Sequence, residues 1–403
     1  MKGRKIAVIG GGAAGFFFAI NCAEKNPDYE ITILEKAPKL LDKVRISGGG
    51  RCNVTHACFD AKLLAKNYPR GEKELLGPFH TFSPTQTIEW FAKRGVKLKT
   101  ESDGRMFPVT DNSETIIDCF FSEAKKHNIK IRTLAIVDEM KCENEKWHLV
   151  INKKDLEVFD VVFIASGSAH KMWDILTALG HKVIAPAPSL FTFNIKDSRI
   201  KDLMGLSVKN AVVAVVDSKL TAQGPVLITH WGLSGPAILR LSAWGARILH
   251  EKSHRFELVV NWCGEKKFSE VLEQLKVQKS THHKKIAFQN NLFEIPLRLW
   301  QSLCEAAGIS AQKIWADCSN KELDTLANQL TKCIFQVNGK STNKDEFVTA
   351  GGLDLKEVDF KTMQSKLLPN LYFGGEVMNI DAITGGFNFQ AAWTTAWIAA
   401  ISV

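Results

Sequence analysis

Residues 5–20 read Lys5-Ile6-Ala7-Val8-Ile9-Gly10-Gly11-Gly12-Ala13-Ala14-Gly15-Phe16-Phe17-Phe18-Ala19-Ile20. A short, partly β-branched apolar run suits a strand buried on both faces. The glycines follow at once in the order G-x-G-x-x-G, and Phe16–Lys25 then has the character of a helix. Glu30–Leu34 alternates like a second strand and ends in Glu35, twenty residues after Gly15. Gly10 permits a tight turn, Gly12 lets a pyrophosphate approach the backbone, and Gly15 lets helix and strand pack closely. The helix amino terminus, with Ala14 in its first turn, offers unpaired N–H groups and a positive dipole end. Glu35 is placed to accept hydrogen bonds from an adenosine ribose, with Lys36 beside it. Strand, glycines, helix, strand and acid in this order predict a dinucleotide site.

Outward from that motif, Asn128–Val137 and Phe159–Ile164 read as further strands of the same sheet. The second runs into Ala165-Ser166-Gly167-Ser168, small residues that let the chain pass close to a bound cofactor. Between them, Ile46-Ser47-Gly48-Gly49-Gly50-Arg51-Cys52-Asn53 is a loop rich in backbone donors, with Arg51 as a fixed charge. Such a loop can follow a pyrophosphate and reach a flavin ring, which a nicotinamide site would not require. Cys52 has no adjacent resolving cysteine and reads as a packing group. Near the other end, Leu371–Phe373 reads as a strand leading to Gly374-Gly375-Glu376, and Thr384-Gly385-Gly386-Phe387-Asn388 opens an apolar helix, Phe389–Ile401. Its glycines and positive end would favour the negative charge that builds at the flavin N1–C2=O edge on reduction.

The 403 residues suffice for two or three domains, and 45% apolar with 24% charged residues is ordinary globular composition. Disorder, collagen-like sequence and fixed-period repeats are excluded. The formal charge of +9 is compatible with an anionic partner or with a basic surface that has none. A local excess at 265–285, with Lys266, Lys267, Lys276, Lys279, Lys284 and Lys285, reads as a solvated helix face. Nine cysteines without C-x-x-C spacing indicate neither a disulfide framework nor a zinc site, so no metal is expected and a reducing cytoplasm fits. The basic start and apolar run could pass for a signal peptide, but the glycine spacing argues for the nucleotide site instead. No apolar stretch reaches the length of a membrane span.

With these motifs assembled, the chain resembles the bacterial YhiN/BaiN-like family of flavoproteins, often labelled NAD(P)/FAD-dependent oxidoreductases. The matching stretches are Gly10–Gly15, Ile46–His56 (I-S-G-G-G-R-C-N-V-T-H), Gly104–Pro108 (G-R-M-F-P), Thr229–Pro236 (T-H-W-G-L-S-G-P), Val348–Gly352 (V-T-A-G-G) and Gly374–Asn388. The last helix departs from it, with Thr395-Ala396-Trp397 and Ala400 where smaller residues and a glycine are expected. The resemblance implies an α/β fold: a glutathione-reductase-type, Rossmann-like FAD-binding domain with an inserted β-rich plus helical domain. The divisions expected are 1–189 and 345–403 for the FAD-binding domain and 190–344 for the insert, on the substrate side. It implies FAD contacts from Gly10, Gly12 and Gly15, from Glu35, and from Ser47 through Gly48, Gly49, Gly50, Arg51 and Cys52 to Asn53. Ala165, Ser166 and Gly167 would join them, as would Gly375, Glu376, Gly385, Gly386, Phe387 and Asn388. Val137 would offer its backbone to the adenine, and Lys43 is a further phosphate partner.

In the inserted stretch, Phe191–Ile195, Asn210–Val216 and Gly224–Ile228 alternate like antiparallel strands. Helices are expected at Ala237–Leu249, capped by Ser234 or Gly235 with Pro236 in the first turn, and at Phe268–Lys279 and Lys321–Leu330. A strand at Cys333–Val337 follows, with return to the first domain near residue 345. His230 is the candidate catalytic residue, able to hand over a proton while a flavin hands over hydride; the rival reading is a structural histidine. Arg105 and Lys171 could steer an anionic substrate.

The leading expectation is an FAD-dependent oxidoreductase acting on a small unsaturated or carbonyl substrate. With one G-x-G-x-x-G motif, NAD(P)H is expected only as a transient electron donor. No membrane partner is expected. RNA modification is the first alternative; no aromatic-basic nucleic-acid module supports it. A non-catalytic flavin-binding sensor is the second.

Overall fold

The computed structural model describes residues 3–341 and 348–403, so the expected re-entry near residue 345 lies outside the described residues. The chain divides into two compact units. One comprises the chain up to Ala187 together with Val348–Val403, and the other begins at Pro188.

The first unit is built on a seven-stranded sheet. Five parallel strands stand in the order Leu371–Phe373, Val161–Ile164, Lys5–Ile9, Glu30–Leu34 and Lys130–Arg132. Two short antiparallel strands, Val358–Asp359 and Gln364–Ser365, extend the Leu371 edge. The first strand is in the middle because the chain leaves it toward Glu30–Leu34 and later returns on its other side. That reversal is the switch point at which open α/β sheets hold ligands, beyond the carboxyl ends of the strands.

Helix Ala13–Lys25 packs along the C-terminal helix Phe387–Ser402, and the two run in the same direction. The Phe17 and Trp393 rings lie 5.2 Å apart, and at the far end the Lys25 ammonium donates to the Ile401 carbonyl, where a cation suits the negative dipole end. The C-terminal helix is apolar on all sides because it is buried on all sides. Phe17, Phe91, Trp90, Phe120 and Trp393 form one aromatic cluster about it, each ring contributing about 1.5–3 kcal/mol through burial. The family departures have a place here: Thr395 Oγ1 accepts from the Gly375 N–H at 3.0 Å, and Trp397 stacks on Phe82.

Several boundaries differ from those expected. Asn128–Val137 is not one strand: Lys130–Arg132 joins the main sheet, the chain turns through Leu134 (φ 55°), and Val137 opens a separate antiparallel meander. That meander is Val137–Glu143, Lys146–Ile151 and Asp155–Phe159. Phe159–Ile164 is likewise divided at Asp160, whose carboxylate accepts from the Lys5 N–H at 2.8 Å. The Ser47–Asn53 loop is preceded by a helical turn from Asp42, which loses helical geometry at Ser47, Gly48 and Gly49.

The second unit carries an antiparallel sheet in the order Cys333–Asn338, Arg255–Asn261, Ser207–Val215, Thr221–Ile228, Gly232–Ser234, Thr192–Asn194 and Lys340–Ser341. Arg255–Asn261, the strand next to the Cys333–Asn338 edge, with the burial pattern of strict alternation, was not expected. The helix expected at Ala237–Leu249 is two, Pro236–Trp244 and Ala246–Glu251, broken at Gly245, where a side chain would meet Leu220 at 2.7 Å. Gly235 is its N-cap, with Pro236 first in the helix. Phe268–Thr281 and Asn320–Thr331 match the two further helices closely, and Leu297–Ala306 adds one more. Among the described residues no helix is long and apolar enough to cross a membrane.

Candidate functional site

The turn after the first strand separates two jobs that glycine can do. A Cβ on Gly15 would lie 2.0 Å from the Gly10 carbonyl oxygen, and one on Gly10 would lie 2.4 Å from that of Ala165. These two positions are therefore packing positions. A Cβ on Gly12 would meet nothing within 4 Å. Gly12 is also the N-cap of Ala13–Lys25, with no side-chain cap and no acid in the first turn. The helix thus presents bare N–H groups toward open space, the arrangement a phosphate requires.

Glu35 stands across this turn. One carboxylate oxygen accepts from the Gly11 N–H at 2.7 Å and the other from the Ala37 N–H at 2.8 Å. Each oxygen keeps a lone pair for a further donor. Lys36 beside it is exposed. The Glu35 carbonyl accepts from the Ala135 N–H at 2.9 Å, two residues before the buried Val137.

The Ala165–Gly167 passage, Lys43 and Glu376 converge on the same turn. Lys43 and Glu376 form an ion pair, and a Cβ on Gly167 would lie 3.8 Å from the Glu376 carboxylate. One on Gly375 would touch the Ala14 methyl at 3.3 Å. Ser166 is half-buried within that passage.

A second group forms where the Ser47–Asn53 loop meets the start of the C-terminal helix. With its amide oriented to satisfy both ends, Asn53 accepts from the Gly386 N–H at 3.0 Å and donates to the Thr55 carbonyl at 3.1 Å. Gly386, at φ 93°, is the uncapped N-cap of Phe387–Ser402, and a Cβ there would sit 2.5 Å from the Thr55 oxygen. Asn388 closes the preceding turn, accepting from the Ala382 N–H at 2.9 Å. Cβ atoms on Gly49 and Gly50 would meet nothing within 4 Å. Ser47 donates to the Val44 carbonyl at 3.1 Å, and Gly48 lies against the Phe107 ring. Arg51 is committed elsewhere: it pairs with Glu101 at 2.6 Å and lies over Phe107, 3.9 Å from the ring centre. Cys52 is fully buried, and desolvation pushes its thiol up to about 12. A thiol that stays protonated packs; it does not attack.

These features fit an extended dinucleotide. Helix amino ends without a side-chain cap at Gly12 and Gly386 lie at the same end of two parallel helices, the Gly386 N–H itself being taken by Asn53; open glycine faces adjoin both, and Glu35 stands beside the first. FAD would be held by Gly12 and Glu35 at its adenosine half and by Gly49, Gly50 and Gly385–Asn388 toward the flavin.

One residue went unremarked in the sequence. His56 Nδ1 lies 3.0 Å from the Gly385 carbonyl, and its ring stacks on Phe387 with centroids 4.5 Å apart. A Cβ on Gly104 would strike its Nε2 at 2.5 Å. Its place at the end of the I-S-G-G-G-R-C-N-V-T-H stretch was the available signal. His230 belongs to the second unit, exposed in the bend between Thr221–Ile228 and Gly232–Ser234 beside Trp231, which is 66% exposed. Arg105 pairs with Asp103 and Glu101, and Lys171 with Asp138.

A parallel sheet with a glycine-led helix at its switch point and a second helix end beside it defines a Rossmann-like, FAD-binding flavoprotein. More narrowly, the chain belongs to the family described as HI0933-like protein Rossmann domain, whose model matches residues 4–402. It is 27% identical to a ribosomal RNA dihydrouridine synthase of Haemophilus influenzae, over 98% of this chain and 97% of that one. It is 24% identical to a 3-dehydro-bile acid delta(4,6)-reductase of Clostridium scindens, over 98% of each. In structure it resembles the 3-ketosteroid delta1-dehydrogenase of Sterolibacterium denitrificans, with TM-score 0.51 at 10% identity over 100% of this chain and 99% of that one. The 3-ketosteroid-delta4-(5alpha)-dehydrogenase of Rhodococcus jostii gives TM-score 0.50 at 11% identity, over 99% and 96%. These likenesses concern the fold.

Proposed function

We propose that the protein is an FAD-dependent reductase that adds hydrogen across a carbon–carbon double bond conjugated to a carbonyl group. The observation that carries this reading is the pair of parallel helices with uncapped amino ends at Gly12 and Gly386. One suits a pyrophosphate, and the other suits negative charge gathering on the pyrimidine edge of a reduced flavin. FAD, when bound, supplies the hydride. NADH or NADPH is the proposed source of the two electrons, and the unit beginning at Pro188 is the proposed substrate side. The proton is assigned to an imidazole. His230 is one candidate; His56 is the other, since donation of its Nδ1–H to the Gly385 carbonyl leaves Nε2 to carry a proton. Nine free cysteines suit a reducing compartment such as the cytoplasm.

The relatives' names support the bond type. A 3-dehydro-bile acid delta(4,6)-reductase acts on double bonds conjugated to a ketone, and dihydrouridine is uridine with its carbonyl-conjugated ring double bond reduced. The test is anaerobic stopped-flow reduction of the bound flavin by NADH and by NADPH, followed by mixing with conjugated enones. Reoxidation by an enone but not by its saturated analogue is expected. A flavin that neither nucleotide reduces, or that only oxygen reoxidises, would overturn the reading.

A second reading places the double bond in a uracil ring of RNA. Two relatives named as ribosomal RNA dihydrouridine synthases, from Haemophilus influenzae and Escherichia coli, align with 98% of this chain, and the chain carries a charge of +9. Reduced protein mixed with unmodified ribosomal RNA would then yield dihydrouridine on nucleoside mass spectrometry, and its absence would favour the small-molecule substrate.

A further inference from the structure

Within the second unit, helix Phe268–Thr281 packs on the turn Trp315–Asp317 and on helix Asn320–Thr331. Where they meet, a concavity of about 430 Å³ is lined by Lys276, Lys279, Ser280, His283, Ala316 and Asn320. Its polar lining consists of cations, hydrogen-bond donors and an imidazole, without a carboxylate. The sequence explains this: residues 274–293 contain Lys276, Lys279, Lys284 and Lys285 and not one Asp or Glu. Two carboxylates stand close by, Glu273 one turn before Lys276 on the same helix and Asp317 in the framing turn. Lys313 nearby is paired with Glu322 at 2.6 Å, whereas among the described residues none of those four lysines has a carboxylate partner. Lys279 instead donates to the Cys318 carbonyl, which fixes its stem against the wall of the cleft. The depression is shallow and open, and its rim is joined by two hydrogen bonds, the Ala316 N–H donating to the His283 carbonyl at 3.0 Å and the Trp315 N–H to that of Lys285 at 2.9 Å. The carboxylates on the adjoining helices are partly occupied: Glu270 accepts from the Lys267 N–H at 2.6 Å, and Glu322 binds Lys313 and Ser319.

We infer that this cleft is a binding site for the sugar–phosphate backbone of RNA, an inference that rests on the RNA reading above. Lysines without a carboxylate partner, with hydroxyl and amide donors between them, are the chemistry of phosphodiester contact. The cleft offers no aromatic platform for bases, so it contributes affinity and position without reading sequence. The solvated helix face expected at 265–285 is thereby the wall of a site.

The experiment uses the full-length, FAD-loaded protein and a fluorescein-labelled, uridine-containing RNA stem-loop, with binding read by anisotropy across a salt series. Lys276→Glu/Lys279→Glu is expected to weaken binding at least about tenfold and to flatten the log K against log salt slope by about one to two. Lys276→Gln/Lys279→Gln should follow with a smaller loss, separating lost contact from repulsion and guarding against misfolding of the first pair. The charge-matched control Lys62→Glu/Lys361→Glu should bind within about twofold of the parent. If the cleft and control pairs weaken binding equally, the site is wrong while the RNA reading stands. If the parent protein fails to bind the RNA at low salt, both fall.

Discussion

Lys43 and Glu376, 333 residues apart in the chain, are joined as an ion pair at the mouth of the glycine turn. Both are cofactor-contact candidates, so the pair occupies the charges that a bound dinucleotide would engage. Glu376 is the more enclosed partner, with its side chain 20% exposed against 53% for Lys43. An exposed ammonium contributes about 0–1 kcal/mol, whereas hydrogen bonds to a sheltered carboxylate are worth about 1.5–3 kcal/mol. Glu376→Ala is therefore expected to raise the FAD dissociation constant by about tenfold or more, and Lys43→Ala by less than about fivefold. Fluorescence titration of apoprotein with FAD measures both, and equal effects would contradict the assignment.

Glu35 has a double role that a simple ribose contact would lack, since its carboxylate also holds the Gly11 and Ala37 N–H groups. Glu35→Ala should weaken FAD binding by about ten- to a hundredfold. Glu35→Gln, which keeps one acceptor, should fall between. If Glu35→Ala binds FAD as the parent does, the adenosine end has been placed wrongly.

Asp381 is completely buried and forms a forked pair with Arg70, tying the loop before the C-terminal helix to the segment that opens helix Glu72–Thr81. Removing one member of such a pair costs about 3–5 kcal/mol because the other is left charged and enclosed. Asp381→Ala should lower the urea midpoint of the first unit sharply, with flavin release following the same transition.

His254, in the second unit, gives a pH dependence with a definite sign. It is 9% exposed and its Nε2 has no partner. Burial holds the imidazole below its usual range, and Lys340 and His250 add to the effect. The unfolded chain therefore takes up the proton more readily than the folded one. Stability is complete above the unfolded value of about 6.5 and is lost as pH falls through the lower folded value. Its φ of 57° calls for a residue tolerant of the left-handed region, so His254→Asn is the suitable variant. Its unfolding temperature should change less than that of the parent between pH 7 and about pH 5.

The glycine turn, the flanking strands and the helix Phe387–Ser402 were legible because each is encoded locally, by period and by glycine spacing. The meander from Val137 was not: its central strand Lys146–Ile151 alternates, but the flanking strands lose the pattern, with burial interrupted at Lys141, Glu143, Asp155 and Glu157. Arg255–Asn261 alternates clearly but lies among lysine-rich neighbours without a flanking turn motif. The motif that ends at His56 pointed to the residue, but not to its contact with Gly385, 329 residues away. The commitment of Arg51 to Glu101 is equally invisible in a linear reading, since fifty residues separate them.

Gly12 and Gly15 provide the sharpest separation between folding and cofactor binding. They stand three residues apart in one motif, yet a methyl on Gly15 would lie 2.0 Å from a backbone oxygen while a methyl on Gly12 would meet nothing within 4 Å. Gly12 also has φ −95°, which any residue tolerates. Gly12→Ala should therefore fold, losing no more than about 1 kcal/mol as a poorer N-cap. Its methyl would nevertheless occupy the space through which a pyrophosphate reaches the helix N–H groups, so FAD affinity should fall by more than tenfold, about 1.4 kcal/mol or more. Gly15→Ala should do the reverse in the first instance, forcing helix and strand apart at a cost of about 1–3 kcal/mol from overpacking. Thermal unfolding of the two apoproteins, compared with FAD titration of each, reads both effects independently. An apo Gly12→Ala protein as destabilised as Gly15→Ala, or one that binds FAD normally, would mean that the open face of this turn is not where the phosphates lie.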